Sequence, residues 1–580
     1  MSADLESDHV VTPAGGSDQL AWIASVIVMG LAAALAARTI WLLDRGFDFT
    51  DQSAYLLIAQ RPADYDLAFG LWGYGLHPLY LLAGGSIPVI ERAGALVLIV
   101  LGAALGIITA NNLDMDWRRP VTAQMVAVAA SLPLSYYSLW LPVPSYNWIA
   151  LVGGIGLMIA VVLLAGTVNK PLCSAASAAS AIVLAVFARP QNAAGYGLLY
   201  LAAVCLAIPT NGGRLKQIFR ATCCAIIAVG IVVAVSPVGT IVNQIKAYYA
   251  IFGTEHPFHF SFADQQVAFL KSGWLWGASG IVFAFALFVR RNGRFASGRT
   301  ASAIAIFATV VSFATILRNG LYAHEFRIGS TAGILAFCAL SLACLRKDAN
   351  IRLLVMLGVT SLIPWAATLG SSNPVRMQLA FFSGLSIFIA LVASTITART
   401  NMIVASAASF IALYLTASGI ELGLARPYRL ATSVALQVVP TQVGWGSEVK
   451  LDSRTSEFIA RLREEAGQAG FCQGGAAIDL SGALPGAVFV IGGVMPVFPS
   501  LLAGYSFSIS WAREYLKRVG PQRLAQSWLI VSEASGAITV KELESLGVDF
   551  GAYRLVSDLR HPIDGTSVKL YAPLAKQPEC

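Results

Sequence analysis

Three carboxylates, Asp44, Asp48 and Asp51, follow directly on an apolar run at 20–43 that is long enough to cross a bilayer. The local sequence is Phe47-Asp-Phe-Thr-Asp-Gln-Ser-Ala-Tyr-Leu-Leu57. Acidic groups at a membrane boundary are costly to keep unless they are solvated, paired or used. A carboxylate near neutral pH can take the proton of an attacking hydroxyl, so this cluster offers base chemistry beside lipid. Asp51 also suits the N-cap of a helix over 52–59. Asp48 is the second candidate base, and Asp44 suits an ion pair with Arg45.

These acids belong to a chain that is mostly membrane. Hydrophobic residues make up 57% and charged residues 12%, with a mean hydropathy of +0.69, whereas a soluble domain carries roughly 25% charged residues. Apolar runs predict thirteen spans, near 20–43, 93–111, 121–140, 148–168, 172–188, 192–208, 219–240, 272–290, 300–317, 329–345, 351–370, 377–395 and 402–420. Fourteen cations fall on alternate short links (Arg118, Arg119, Lys170, Arg214, Lys216, Arg220, Arg290, Arg291, Arg294, Arg299, Arg346, Lys347, Arg352 and Arg399). Basic links of this kind mark the cytoplasmic side. The longer links at 44–92, 141–147, 189–191, 241–271, 318–328 and 371–376 are then outside, residues 1–19 form a cytoplasmic tail, and everything after about 424 is exported. No basic n-region precedes the first span, which argues against a cleaved signal peptide. The net charge of +8 is spread over short loops, so it reads as topogenic, and no nucleic-acid partner is expected.

Residues 425–580 change character, with a charged helix at 453–469 and short apolar strands at 476–480, 487–492 and 528–532, divided by turn signals. They are expected to form an exported α/β domain. Cys472 and Cys580 are the two cysteines of this tail, a candidate disulfide in an oxidising compartment. His256 and His259, with Glu255, sit in an aromatic loop that reads as an interfacial surface. No zinc spacing occurs.

Asp51-Gln-Ser-Ala-Tyr-Leu-Leu-Ile-Ala59 resembles the Asp-Glu-x-x-Tyr…Ala signature in the first outer loop of the GT-C membrane glycosyltransferases, which include protein O-mannosyltransferases and lipid A aminoarabinose transferases. The order of parts is similar too: a long first outer loop, a second at 241–271, an odd number of spans and an exported C-terminal domain. Gln52 stands where the family has Glu. The resemblance implies a polytopic α-helical, GT-C-like fold in a bacterial inner membrane, with the tail periplasmic. It also implies an inverting transfer of sugar from a polyprenyl-phosphate donor to a glycan, lipid or protein acceptor, with Asp51 as general base.

A lipid-phosphate donor asks for cations at the outer ends of spans. Arg189, Arg376, Arg318 and Arg327 are the candidates, since guanidinium binds phosphate bidentately; snorkelling to headgroups is the competing role. Gln52, Tyr55, His77, Tyr146, Asn147 and His324 are expected to line the substrate pocket, with Trp72, Tyr74 and Trp148 as further aromatics for sugar stacking or an interfacial belt. Nothing requires a cofactor; a divalent cation is the one candidate. A lipid-linked sugar transporter and a non-catalytic polysaccharide assembly subunit are the alternatives. The missing half-repeat argues against the first, and Gln52 leaves the second open.

Overall fold

The computed structural model describes residues 16–65, 70–166, 170–235, 274–291, 298–321, 327–371, 375–398, 401–499, 508–532, 539–545 and 548–575, together with 239, 242, 243 and 246. The chain opens with α1 (Gly16–Leu42), followed by two short helices of the first loop, α2 (Asp51–Gln60) and α3 (Trp72–Leu82). Next come α4 (Ile87–Asn112), α5 (Pro120–Ser131), α6 (Tyr146–Ala165), α7 (Pro171–Ala188), α8 (Pro190–Ala207) and α9 (Asn211–Val235). Proline opens α5, α7 and α8, where its missing N–H costs nothing and its fixed φ suits the first turn. Gly102 and Gly106, one turn apart on α4, let that helix close on α5, for a Cβ at either would run into Ala129.

Among the described residues nine helices are long and apolar enough to cross a membrane, and the pair Val375–Phe381 and Ser383–Thr397, bent by 60°, makes a tenth if counted as one span. The other three expected spans are interrupted or more polar. At 121–140, α5 gives way to a 3-10 helix, Leu132–Leu139, because Pro133 cannot continue the α ladder. At 351–370 the helix Ile351–Thr360 breaks before Ile363–Ala366, which carries Pro364 in its first turn. At 192–208, α8 is 18 residues long but begins with Pro190, Gln191 and Asn192.

The tail contains an antiparallel pair, β1 (Val439–Val443) with β2 (Ser447–Leu451), and a mixed sheet of β3 (Ala477–Asp479), β4 (Trp528–Ser532), β5 (Tyr553–Arg560) and β6 (Ser567–Pro573) in the order β3-β4-β6-β5. Only β3 and β4 run parallel. The helix Ser453–Gln468 is where the sequence puts it, capped by Asp452. The expected strand at 487–492 is instead a helix, Pro485–Val490. Asp479 accepts hydrogen bonds from Ser481 and from the Leu484 N–H just ahead of that helix, and Pro485 then starts it.

The tail shares one apolar core with the membrane helices. β2 bridges the first loop at Arg45, with Gly46 N–H donating to Lys450 O (2.9 Å) and Lys450 N–H to Asp44 O (2.7 Å). Phe47 stacks on Phe489, Phe49 meets Phe458 and His561 edge-on, and Gly486 N–H donates to Phe49 O. The loop carrying the three acids is therefore held between the membrane helices and the tail.

Candidate active site

Each of the three acids has a different fate. Asp44 reaches Lys450 Nζ at 2.8 Å and Arg92 at 3.4 Å, with Arg45 farther away at 3.8 Å. The expected Asp44–Arg45 pair is thus the weakest of its contacts, and its main partner comes from the tail. Asp48 is 2% exposed. Its Oδ1 accepts from Thr50 N–H and Thr50 Oγ1, and its Oδ2 from Gln52 N–H. Gln52 Oε1 accepts from Asp48 N–H at 2.8 Å in return, a reciprocal arrangement like a capping box. Burial, and next the charge of Asp51, push the Asp48 carboxyl up to about 6. Asp48 thereby takes up a free N–H at the start of α2 from two residues ahead of its N-cap position, Thr50, a helix-start role that the sequence had suggested for Asp51.

Asp51 opens α2 with its side chain 37% exposed. Its Oδ2 accepts from the Tyr428 hydroxyl at 2.8 Å and lies 3.9 Å from Arg429 Nη1. Gln52 is 1% exposed and donates through Nε2 to Glu91 Oε1 at 2.7 Å. A carboxylate of α4, that of Glu91, is thus held against Gln52. Of the three acids Asp51 keeps the most open carboxylate.

A second group of the expected residues meets a short way along. Tyr55 packs edge-on against Trp72 (5.0 Å between ring centroids) and Tyr146 (5.6 Å). The Arg189 guanidinium lies 4.2 Å over the Tyr146 ring and donates to Asn147 Oδ1 at 3.0 Å and Ala367 O at 3.2 Å. Gln378 Nε2 donates to Asn147 Oδ1 and Ser371 Oγ. Tyr55, Tyr146, Asn147 and Arg189 are therefore brought together, from the first loop, the start of α6 and the α7–α8 junction. At 9% exposed, Arg189 is a buried hydrogen-bonded cation and not one snorkelling to headgroups.

The other candidates scatter. His77 Nδ1 lies 2.7 Å from Ala59 O and ties α3 to the end of α2, a structural contact. Arg376 is exposed on Val375–Phe381, two residues before Gln378. Arg318 is exposed near the end of Gly298–Leu321, and Arg327 is half-buried at the start of Arg327–Cys344. His324 lies outside the described residues, as do His256, His259 and Glu255. Cys472 is disulfide-bonded, and Cys580, its expected partner, also lies outside them. Among the described residues no group of three or more His, Cys, Asp or Glu is placed to hold a metal ion.

Glu91, Tyr428, Arg429 and Gln378 were not singled out in the sequence. Glu91 had a signal, an acid at the head of a long apolar run. Tyr428 and Arg429 had only their place directly after the last span.

No protein-family model matches the chain, and no curated protein matches its sequence. Among solved structures the chain is similar to ArnT from Cupriavidus metallidurans in the apo state, with a TM-score of 0.41 and 11% identity over 96% of this chain and 98% of that one. It is similar also to ArnT from the same organism bound to undecaprenyl phosphate, with a TM-score of 0.39 and 11% identity over 94% and 97%.

Proposed function

We propose that the chain is a membrane glycosyltransferase that moves a sugar from a polyprenyl-phosphate donor to a hydroxyl of an envelope glycan, lipid or protein, with Asp51 as general base. The observation that carries this is the contrast between the neighbouring acids. Asp48 is spent on the start of α2 and Asp44 on holding the tail, while Asp51 stays half-exposed. The likeness of Asp51–Ala59 to the GT-C signature supplies the donor class. Glu91 answers the departure at Gln52, since a carboxylate is still held against that position.

In the reaction the acceptor O–H gives its proton to Asp51 as its oxygen bonds the anomeric carbon. The bond from that carbon to the phosphate oxygen breaks, and the electron pair leaves with the phosphate. One displacement inverts the anomeric centre, and a phosphate leaving group needs no strong acid. Arg189 and Arg376 are assigned to the donor phosphate, Arg189 with Tyr146 and Asn147 around it and Arg376 from the adjoining helix. Arg318 and Arg327 take second place because they stand on other helices, near the end of Gly298–Leu321 and at the start of Arg327–Cys344.

Asp51→Asn should abolish transfer and leave polyprenyl phosphate binding intact, because it removes proton acceptance and no phosphate contact. Arg376→Ala, at an exposed position, should weaken that binding by about 1.5–3 kcal/mol, the worth of a hydrogen bond to a charged group. The measurements are mass spectrometry of envelope glycans in a strain lacking the chain, complemented by each variant, and polyprenyl phosphate binding to the purified proteins. Wild-type glycans from Asp51→Asn at normal abundance would refute the assignment of the base.

A further inference from the structure

Residues 427–430 lead from the last membrane helix, Met402–Ala425, into the tail, and three successive side chains of this segment close on the first loop. Leu430 covers Gly46, whose φ is +91° and whose added Cβ would stand 2.5 Å from Leu430 Cδ1. Arg429 donates to Thr50 Oγ1 at 2.6 Å and lies over the Tyr428 ring at 4.8 Å. Tyr428 donates to Asp51 Oδ2 at 2.8 Å, and its own N–H is fixed to Leu139 O at 3.0 Å. Arg429 holds a left-handed φ of +51°, a conformation that costs a non-glycine residue roughly 1–2 kcal/mol. Its contacts to the first loop and to Tyr428 offset that cost.

The geometry points to Tyr428 and Arg429 as positioning residues that aim Asp51 at the acceptor hydroxyl; this rests on Asp51 being the base. Tyr428 occupies Oδ2, and among the described residues Oδ1 accepts no hydrogen bond. Oδ1 is therefore the oxygen that receives the acceptor proton, while the Tyr428 proton stays on its phenol. Burial, and next the Asp51 charge, push that phenol well above its usual range, so it donates throughout the working pH range. Arg429 keeps positive charge beside the same carboxylate and braces Thr50, which donates in turn to Asp48. The end of the last span thus sets the geometry of a base carried by the first loop, 377 residues earlier.

The test follows, in spheroplasts of the deletion strain, the rate at which each induced variant restores the glycan species that deletion removes, with the medium pH varied. Tyr428→Phe should lower that rate roughly tenfold, the equivalent of one hydrogen bond, and move the acidic limb of the pH–rate profile to higher pH. Polyprenyl phosphate binding to the purified variant should stay unchanged. Arg429→Lys should keep more activity than Arg429→Gln at matched abundance, and that pair decides the case if Tyr428→Phe fails to accumulate. Added to Asp51→Asn, Tyr428→Phe should make no further difference. An inactive Asp51→Asn together with a Tyr428→Phe that keeps the wild-type rate and profile would overturn the clamp and leave the base standing. An active Asp51→Asn would remove both.

Discussion

Asp48 and Asp51 are three residues apart and chemically identical, and only their surroundings separate a buried carboxylate bound to the start of α2 from the half-exposed one proposed as the base. The sequence made both visible, because carboxylates beside a span are expensive, but it could not say which one turned inward. That depends on Thr50, Gln52 and Glu91 closing around Asp48 and Gln52, contacts set by tertiary packing. Arg189, Tyr146, Asn147 and Tyr55 were legible as outer-end polar and aromatic residues and do assemble, whereas Tyr428 and Arg429 carried no local signal. The burial of Asp48 has a measurable consequence. With its carboxyl raised from 3.8 to about 6, the folded protein keeps a proton that the unfolded chain releases in that window. This contribution to stability is complete below pH 3.8 and is lost as pH rises through 6, a change of about 3 kcal/mol from the size of the shift. Asp48→Asn cannot titrate. Its unfolding temperature should therefore gain on wild type as pH goes from 4 to 7, and the variant should retain transfer activity. A difference between the two proteins that does not change with pH would show that Asp48 is not held this way.

Elements were legible in proportion to how local their causes are. The helix over 453–468 follows from its own charge pattern and Asp452 cap, and β4 occupies the run expected for it. The segment 487–492 failed as a strand because an apolar run of six cannot be told from a buried helix by pattern. What decides it is the Asp479 contact to Leu484, together with Pro485. The break of α5 into a 3-10 helix at Pro133 likewise ends in a feature that apolarity cannot reveal. Trp140, just beyond it, takes a left-handed φ of +46° and donates from its indole N–H to Arg45 O, supporting the first loop from below. At this scale the critical glycine is Gly46. Gly46→Ala should destabilise the protein by about 1–3 kcal/mol through its positive φ and the clash with Leu430, and it should lower transfer by shifting the loop that bears Asp51. Gly197→Ala on α8, with nothing within 4 Å of the new Cβ, should be neutral or slightly stabilising. Thermal unfolding and complementation of the two variants side by side give the comparison, and equal behaviour would dismiss the clamp of Leu430 on Gly46.

Over the whole molecule, docking constrains the topology more tightly than hydropathy does. β2 pairs with the first loop at Arg45, and Lys450 reaches Asp44, so that loop and the tail lie on one side of the membrane. The number of crossings between Leu42 and Arg426 must then be even. The nine spans among the described residues satisfy this and so do the thirteen expected from the sequence, each leaving an even number after α1, whereas ten do not. If the bent pair Val375–Phe381 and Ser383–Thr397 crosses as one span, parity counted over the described residues asks for an odd number of the interrupted or more polar stretches at 120–139, 190–207 and 351–366 to cross as well. If the basic short links lie in the cytoplasm, as the charge rule expects, the shared side is the outer one. Single cysteines at exposed positions test this in the full chain. Arg61→Cys in the first loop and Arg461→Cys in the tail, at side chains 49% and 54% exposed, should both take a membrane-impermeant maleimide in intact spheroplasts. Arg118→Cys, exposed on a basic link, should be labelled only after the membrane is opened. Labelling of 61 and 461 from opposite sides would contradict the docking itself, and labelling of both only after opening would reverse the orientation while leaving the parity intact.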